Sequence, residues 1–186
     1  MFILAAPSGA GKTTLCREVL KWFSDMLYSV SYTTRQLRIG EQEGLDYHFI
    51  TTSDFENGIA AGKWAEWALV HGNYYGTSLD FLDKGLADSR DILLDIDVQG
   101  TRQILEHYPD SVAIFIQPPS LEVLQQRLLA RGTDSADSIA VRLQNAEKEM
   151  AQQDLYHHVI VNDELSKAVS ELISIIENYR TTWNKY

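Results

Sequence analysis

With 186 residues the chain is long enough for one sizeable core with a smaller inserted lobe, and too short for two ordinary independent domains. Its 45% apolar and 23% charged residues suit a soluble globular protein, while the formal charge of −10 and pI near 4.9 exclude nucleic-acid polymers and anionic membranes as natural partners, since both attract basic surfaces. A single cysteine, Cys16, excludes an intramolecular disulfide and fits a reducing, cytoplasmic setting; the apolar runs are too short for a membrane span or a signal peptide.

The chain opens on Phe2-Ile3-Leu4-Ala5, short and apolar enough for a buried strand. A turn of small residues, Ala6-Pro7-Ser8-Gly9-Ala10-Gly11, leads to Lys12-Thr13-Thr14 and then to Leu15, Val19 and Leu20 at helical spacing. Strand, loop and helix in this order suit a phosphate-binding loop. Glycines let successive N–H groups point into one concavity, the helix start adds a favourable dipole, Lys12 reaches the β- and γ-phosphates, and the Thr13 hydroxyl bonds Mg²⁺. The pattern G-x-x-x-x-G-K-[ST] has Ala6 in its first place, a small defect if that position needs no positive φ. The plain alternative is a glycine-rich turn feeding an ordinary helix. Cys16, on that helix, reads as a small buried residue.

After a helix ending near Phe23, residues 28–34 alternate in β-formers and close on Arg35-Gln36-Leu37-Arg38. Two arginines three apart can close on one phosphate, with a solvated basic turn as the alternative. A polar loop at 40–44 precedes a strand at 46–50 and a helix opening on Ser53-Asp54. Residues 64–70 read as a strand with one acid, Glu66, which either lies on the exposed face of an edge strand or is held for a ligand with matching donors. Gly72-Asn73-Tyr74-Tyr75-Gly76-Thr77 reads as an aromatic turn bounded by glycines, before a helix over 78–89.

Residues 91–97 form the run expected of a central parallel strand, ending in Asp95 and Asp97, two apart and so on one face. An acid at that end of a strand in a P-loop protein holds Mg²⁺ or its waters. A helix at 98–108, a strand at 112–116, the break Pro118-Pro119 and a helix at 120–130 follow. Arg127, Arg131 and Arg142 stud a helix-loop-helix around the polar segment 132–137, and a strand at 159–163 precedes a terminal helix at 165–179. This alternation predicts an α/β fold, a parallel sheet with helices on both faces, interrupted over about 31–77 by a small α+β lobe. His48, His71, His107, His157 and His158 show no metal-ligand spacing.

The P-loop, the stretch from Ser31 through Tyr32-Thr33-Thr34-Arg35 to Arg38, Asp46-Tyr47-His48-Phe49, Glu66-Trp67-Ala68, the segment Gly72 to Thr77, Leu94-Asp95-Ile96-Asp97-Val98-Gln99-Gly100 and Arg131-Gly132-Thr133 stand in one order. In that order the chain resembles the guanylate kinase family, from Ile3 to Asp163. The resemblance implies a core of residues 1–30, 78–126 and 143–186, a GMP-binding lobe at about 31–77 and a helical lid at about 127–142. It implies transfer of a phosphoryl group from ATP to GMP with Mg²⁺, giving ADP and GDP, and leaves homo-oligomerisation open.

By the resemblance, Ser31, Arg35, Arg38, Tyr47, Glu66, Tyr75, Thr77 and Asp97 contact GMP. Ala6 through Thr14, with Arg127 and Asn162, serve ATP; Thr13 and Asp95 serve the metal; Lys12, Arg35, Arg131 and Arg142 are catalytic. Thr77 stands where serine is common, and His157-His158 stand where many members have an acidic and an aromatic residue. Two rivals are a guanylate-kinase-like interaction module, which typically loses the P-loop lysine or the lid arginines, and a kinase for another monophosphate or a ribose-phosphate substrate.

Overall fold

The computed structural model describes residues 1–183 apart from His71, Arg131, Thr133 and Asp134. In chain order the elements are β1 (Phe2–Ala5), α1 (Lys12–Trp22), β2 (Leu27–Ser29), β3 (Tyr32–Thr33), β4 (His48–Phe49), α2 (Thr52–Ala60), β5 (Trp64–Val70) and β6 (Asn73–Ser78). There follow α3 (Leu79–Ala87), β7 (Ile92–Asp95), α4 (Val98–His107), β8 (Val112–Gln117), α5 (Leu121–Ala130), α6 (Ala136–Met150), β9 (His158–Val161) and α7 (Leu165–Trp183). Two compact units divide them: Asp25–Ser111 with Met1, and Phe2–Ser24 with Val112–Tyr186.

In the first unit β2 and β7 pair in parallel, with Tyr28 opposite Leu93. Ile92, Leu93 and Leu94 are fully buried, which accounts for their unbroken apolar run. A second, mixed sheet has the order β4-β3-β6-β5. Three expectations change here. The alternating stretch 28–34 is two strands, β2 and β3, in different sheets. The expected aromatic turn is the strand β6, antiparallel to β5 from Val70 opposite Asn73 to Trp64 opposite Ser78. Only Gly72, at φ +78°, keeps turn geometry among the described residues there, because Tyr74, Tyr75 and Thr77 gain a partner strand. Phe55 of α2 packs against β5 and β6, its ring stacked on Trp64 at 4.4 Å and Tyr74 at 5.0 Å between centroids. The α2 helix opens at Thr52, within a residue of the expected Ser53 start, and its cap is Thr51, whose hydroxyl accepts from the Asp54 N–H.

The third change concerns the paired acids. β7 ends at Asp95, and Asp97 is the N-cap of α4, its Oδ1 accepting from the Gly100 N–H at 2.8 Å. The two acids therefore do not share a strand face: Asp97 keeps extended dihedrals, φ −87° and ψ −177°, but lies beyond β7 with its carboxylate committed to the first turn of α4.

The second unit holds the parallel strands β1, β8 and β9, with Ile3 opposite Ala113 and Ile114 opposite His158. Phe2, Ile3, Leu4, Ile114, Phe115 and Ile116 are fully buried, as is Leu15 of α1, and Cys16 is buried as expected. Leu124 and Leu128 of α5 pack with Ile139 and Ala146 of α6. β9 stops at Val161, one residue short of Asn162, whose N–H still bonds the Gln117 carbonyl at 2.8 Å. Five parallel strands alternating with helices, two in one unit and three in the other, realise the α/β class expected from the sequence.

Candidate functional site

In the second unit the loop between β1 and α1 has the backbone geometry that suits an anion. Gly9 and Gly11 take φ +100° and +97°, a region that side chains avoid. The α1 cap is Gly11, which makes no side-chain hydrogen bond to the first turn, and the N-terminus of a helix favours an anion. Ser89 is the one described non-glycine residue with positive φ, so Ala6 has ordinary backbone geometry and its departure from glycine carries no strain. Lys12 opens α1 half-buried, followed by the exposed Thr13 and Thr14.

Side chains from the other end of the chain fasten this loop. The buried Asn162 donates from Nδ2 to the Ala10 carbonyl at 2.7 Å, and a Cβ on Gly11 would strike that same amide. Arg127 donates to the Asn162 carbonyl at 2.9 Å, and Arg142 Nη1 lies 3.4 Å from Ser8 Oγ. The structure thus gathers Ser8, Ala10, Gly11, Arg127, Arg142 and Asn162 around one loop. Asn162 shapes the loop through its side chain, a role beyond the ATP contact that the resemblance implies for it. Arg131 lies outside the described residues.

In the first unit Glu66 is 4% exposed although β5 is an edge strand, which removes the exposed-face reading. The cause is a bulge. Trp64 stands opposite Ser78 and Glu66 opposite Thr77, so Ala65 is an extra residue on β5, and Ala65 and Glu66 both turn inward. Glu66 Oε1 accepts from the Thr77 hydroxyl at 2.6 Å, and Thr77 is itself fully buried. Burial pushes the Glu66 carboxyl up to about 7; Thr77 opposes the shift and the nearby Asp97 charge adds to it.

Two residues back on the same face of β6, Tyr75 belongs to a second group. Its ring lies 5.9 Å from Tyr47, and the Arg35 guanidinium carbon lies 5.3 Å from the Tyr47 centroid and 5.7 Å from that of Phe49. Both ends of the Arg35 fork bond the Glu41 carboxylate, at 2.8 and 2.9 Å, and Glu41 also accepts from the Arg38 N–H. The Glu41 bond, with a further one to Tyr75, raises the Arg35 pKa, and Arg35 holds Glu41 below the usual carboxylate range. The Arg38 side chain is exposed, Ser31 is half-buried beside β3, and Asp95 closes β7 half-buried. A buried acid and an arginine–tyrosine cluster therefore lie about 7 Å apart along one strand face.

The family model described as guanylate kinase matches residues 1–179 of the chain. The chain belongs to the guanylate kinase family. It is 51% identical over 176 residues to the guanylate kinase of Syntrophotalea carbinolica, covering 95% of this chain and 84% of that one. To that of Geobacter metallireducens it is 49% identical, covering 95% and 87%. The crystal structure of guanylate kinase from Anaplasma phagocytophilum superposes with a TM-score of 0.77 at 30% identity, over 96% of this chain and 85% of that one. Membership in the guanylate kinase family makes the chain an enzyme, and the described loop keeps Lys12, one of the residues that an interaction module typically loses.

Three neighbours of the site carry no signal of a role in the sequence: Glu41, Gly100 and Gln103. Glu41 was a loop acid six residues from Arg35, within reach only because 36–40 curve back. Gly100 stands in a quoted motif without a role, and Gln103 carried no signal. The histidine pair makes structural contacts at the start of β9: just before the strand, His157 Nδ1 accepts from the Ala113 N–H, and within it His158 Nε2 bonds Tyr179.

Proposed function

We infer that this enzyme transfers the γ-phosphoryl group of ATP to GMP, giving ADP and GDP, and that it serves guanine nucleotide recycling in the cytoplasm. The observation that carries the acceptor is the buried Glu66 carboxyl, set along β6 from the Arg35–Tyr47–Tyr75 cluster. Guanine presents N1–H and N2–H₂ as adjacent donors, which the two lone pairs of an ionised Glu66 accept, while the Ser31 hydroxyl donates to O6. Arg35 and Arg38, with the Tyr47 and Tyr75 hydroxyls, hold the monophosphate, which shares Arg35 with Glu41. Thr77 acts through Glu66 and Asp97 through the start of α4.

For the donor, the N–H groups of the loop and Lys12 take the β- and γ-phosphates, and Arg142 with Arg131 neutralises charge on the transferred group. No general base is needed, because the GMP phosphate oxygen is ionised near neutral pH; the protein aligns two anions that repel one another. Mg²⁺ on a nucleotide is held mainly by phosphate oxygens and water, with one or two protein oxygens. Each residue assigned to the ion offers one oxygen group of the kind that demand allows: Thr13 presents an exposed hydroxyl, and Asp95 a carboxylate at a strand end. The ion supplies charge neutralisation on the phosphates when bound.

We assign the core to 1–30, 78–126 and 143–186, the GMP-binding lobe to about 31–77 and the lid to about 127–142; the sheet β4-β3-β6-β5 supports the lobe, and α5–α6 packing supports the lid. No described helix is long and apolar enough to cross a membrane. The test is coupled ADP release with GMP, AMP, CMP and UMP. GMP alone should support turnover; equal rates with AMP would overturn the acceptor assignment.

A further inference from the structure

We infer that α4 fixes the Glu66 carboxyl for base recognition, with Gly100 as a specificity-determining residue and Gln103 as a positioning residue. The inference rests on the reading of Glu66 as the guanine acceptor. Gly100 is in the first turn of α4, and a Cβ built there would lie 2.5 Å from Glu66 Oε2 and 3.0 Å from its carboxyl carbon. A methyl group there would force the carboxyl to shift. The Gly100 N–H is already spent on Asp97 Oδ1, so what Gly100 offers the acid is a flat surface to lie against.

One helical turn on, Gln103 faces the same strand. Its carboxamide accepts from the Trp67 N–H at 3.2 Å and donates to the Trp67 carbonyl at 2.8 Å, clasping the peptide next to Glu66. Thr77 holds Oε1, Gly100 limits Oε2, and Gln103 pins the backbone that carries both. Helix formation alone would favour alanine over glycine at position 100. The glycine is therefore explained by the carboxyl it accommodates.

The experiment uses the full chain and its Gly100→Ala, Gln103→Ala, Glu66→Gln and Gly100→Ala/Glu66→Gln variants. It measures Tm, KM for ATP, and kcat/KM for GMP and IMP. Gly100→Ala should keep Tm and the KM for ATP, yet lower kcat/KM for GMP by about 10- to 100-fold and narrow the GMP:IMP preference, because an ångström of displacement suffices for that. In the Glu66→Gln background the same change should have little further effect. Gln103→Ala should narrow the same preference less, and it carries the test if Gly100→Ala fails to fold. If Glu66→Gln leaves GMP use untouched, the reading of Glu66 itself fails. If Glu66→Gln lowers GMP use while Gly100→Ala and Gln103→Ala both keep the native GMP:IMP ratio, the role of α4 is overturned and Glu66 stands.

Discussion

Glu66 holds its proton to about pH 7 because desolvation outweighs the Thr77 hydrogen bond, yet guanine needs the ionised form. The carboxyl is protonated in the folded protein between its unfolded value of 4.5 and about 7, so it adds to stability below pH 4.5. That contribution, roughly 3 kcal/mol, falls away between pH 4.5 and 7 and is absent above. Acceptor binding runs the other way. The KM for GMP should fall as pH rises from 5.5 to 7.5, more steeply in the native enzyme than in Glu66→Gln, which retains only the titration of the GMP phosphate near pH 6. Parallel pH profiles for the two proteins would contradict it. At pH 8, Glu66→Gln should lose about 2 to 4 kcal/mol in kcat/KM for GMP, measured by coupled ADP release. Native activity should fall from GMP to IMP to AMP, with AMP down by roughly 10⁴ because it leaves the buried acid unpaired. The acid was visible in Trp64-Ala65-Glu66-Trp67, but its burial was not, since the bulge at Ala65 exists only in register with β6.

At the scale of elements, the loop after β1 and the helices α5 and α6 are proposed to meet the donor through different residues. Arg142 reaches Ser8 from α6, and its replacement by Ala should lower kcat by roughly 10² with KM for ATP little changed, as for loss of one transition-state charge donor. A rise in KM alone would make it a binding residue. Asn162→Ala frees the Ala10 carbonyl and should raise KM for ATP while leaving KM for GMP in place, which steady-state kinetics at saturating second substrate will show. The loop was legible because Gly9, Gly11 and Lys12 have backbone and charge requirements that few other arrangements share. β5 was legible residue for residue, bracketed by Gly62 and Gly72. β6 was not, because Gly72-Asn73-Tyr74-Tyr75-Gly76-Thr77 carries both turn and strand formers and only pairing with β5 decides. Asp97 was misread for a related reason: an acid after a strand can extend it or cap the next helix, and the Gly100 N–H settles which.

For the whole molecule, the loop proposed for the donor and the residues proposed for the acceptor belong to different compact units. Each nucleotide alone should therefore stabilise the protein, by about 2.7 kcal/mol at a hundredfold excess over its Kd. Lys12→Ala should abolish most turnover and most of the Tm gain with ATP, while the Tm gain with GMP survives. Equal loss of both gains in a thermal melt would end that division of labour. Which residues surround the loop was beyond sequence reasoning, since Asn162 reaches Ala10 across 152 positions of chain.

The clasp between Gln103 and Trp67 has a consequence for solubility. β5 is an unpaired sheet edge whose Trp67 and Leu69 are 37% and 55% exposed, and Trp64–Val70 has the composition of an aggregation-prone segment. By occupying the Trp67 N–H and carbonyl, one glutamine amide blocks the groups on which a strand from another copy would dock. Conditions that fray α4 before the rest of the chain unfolds should uncover that template, so the protein is most exposed to fibril-like association when only this one helix is loose.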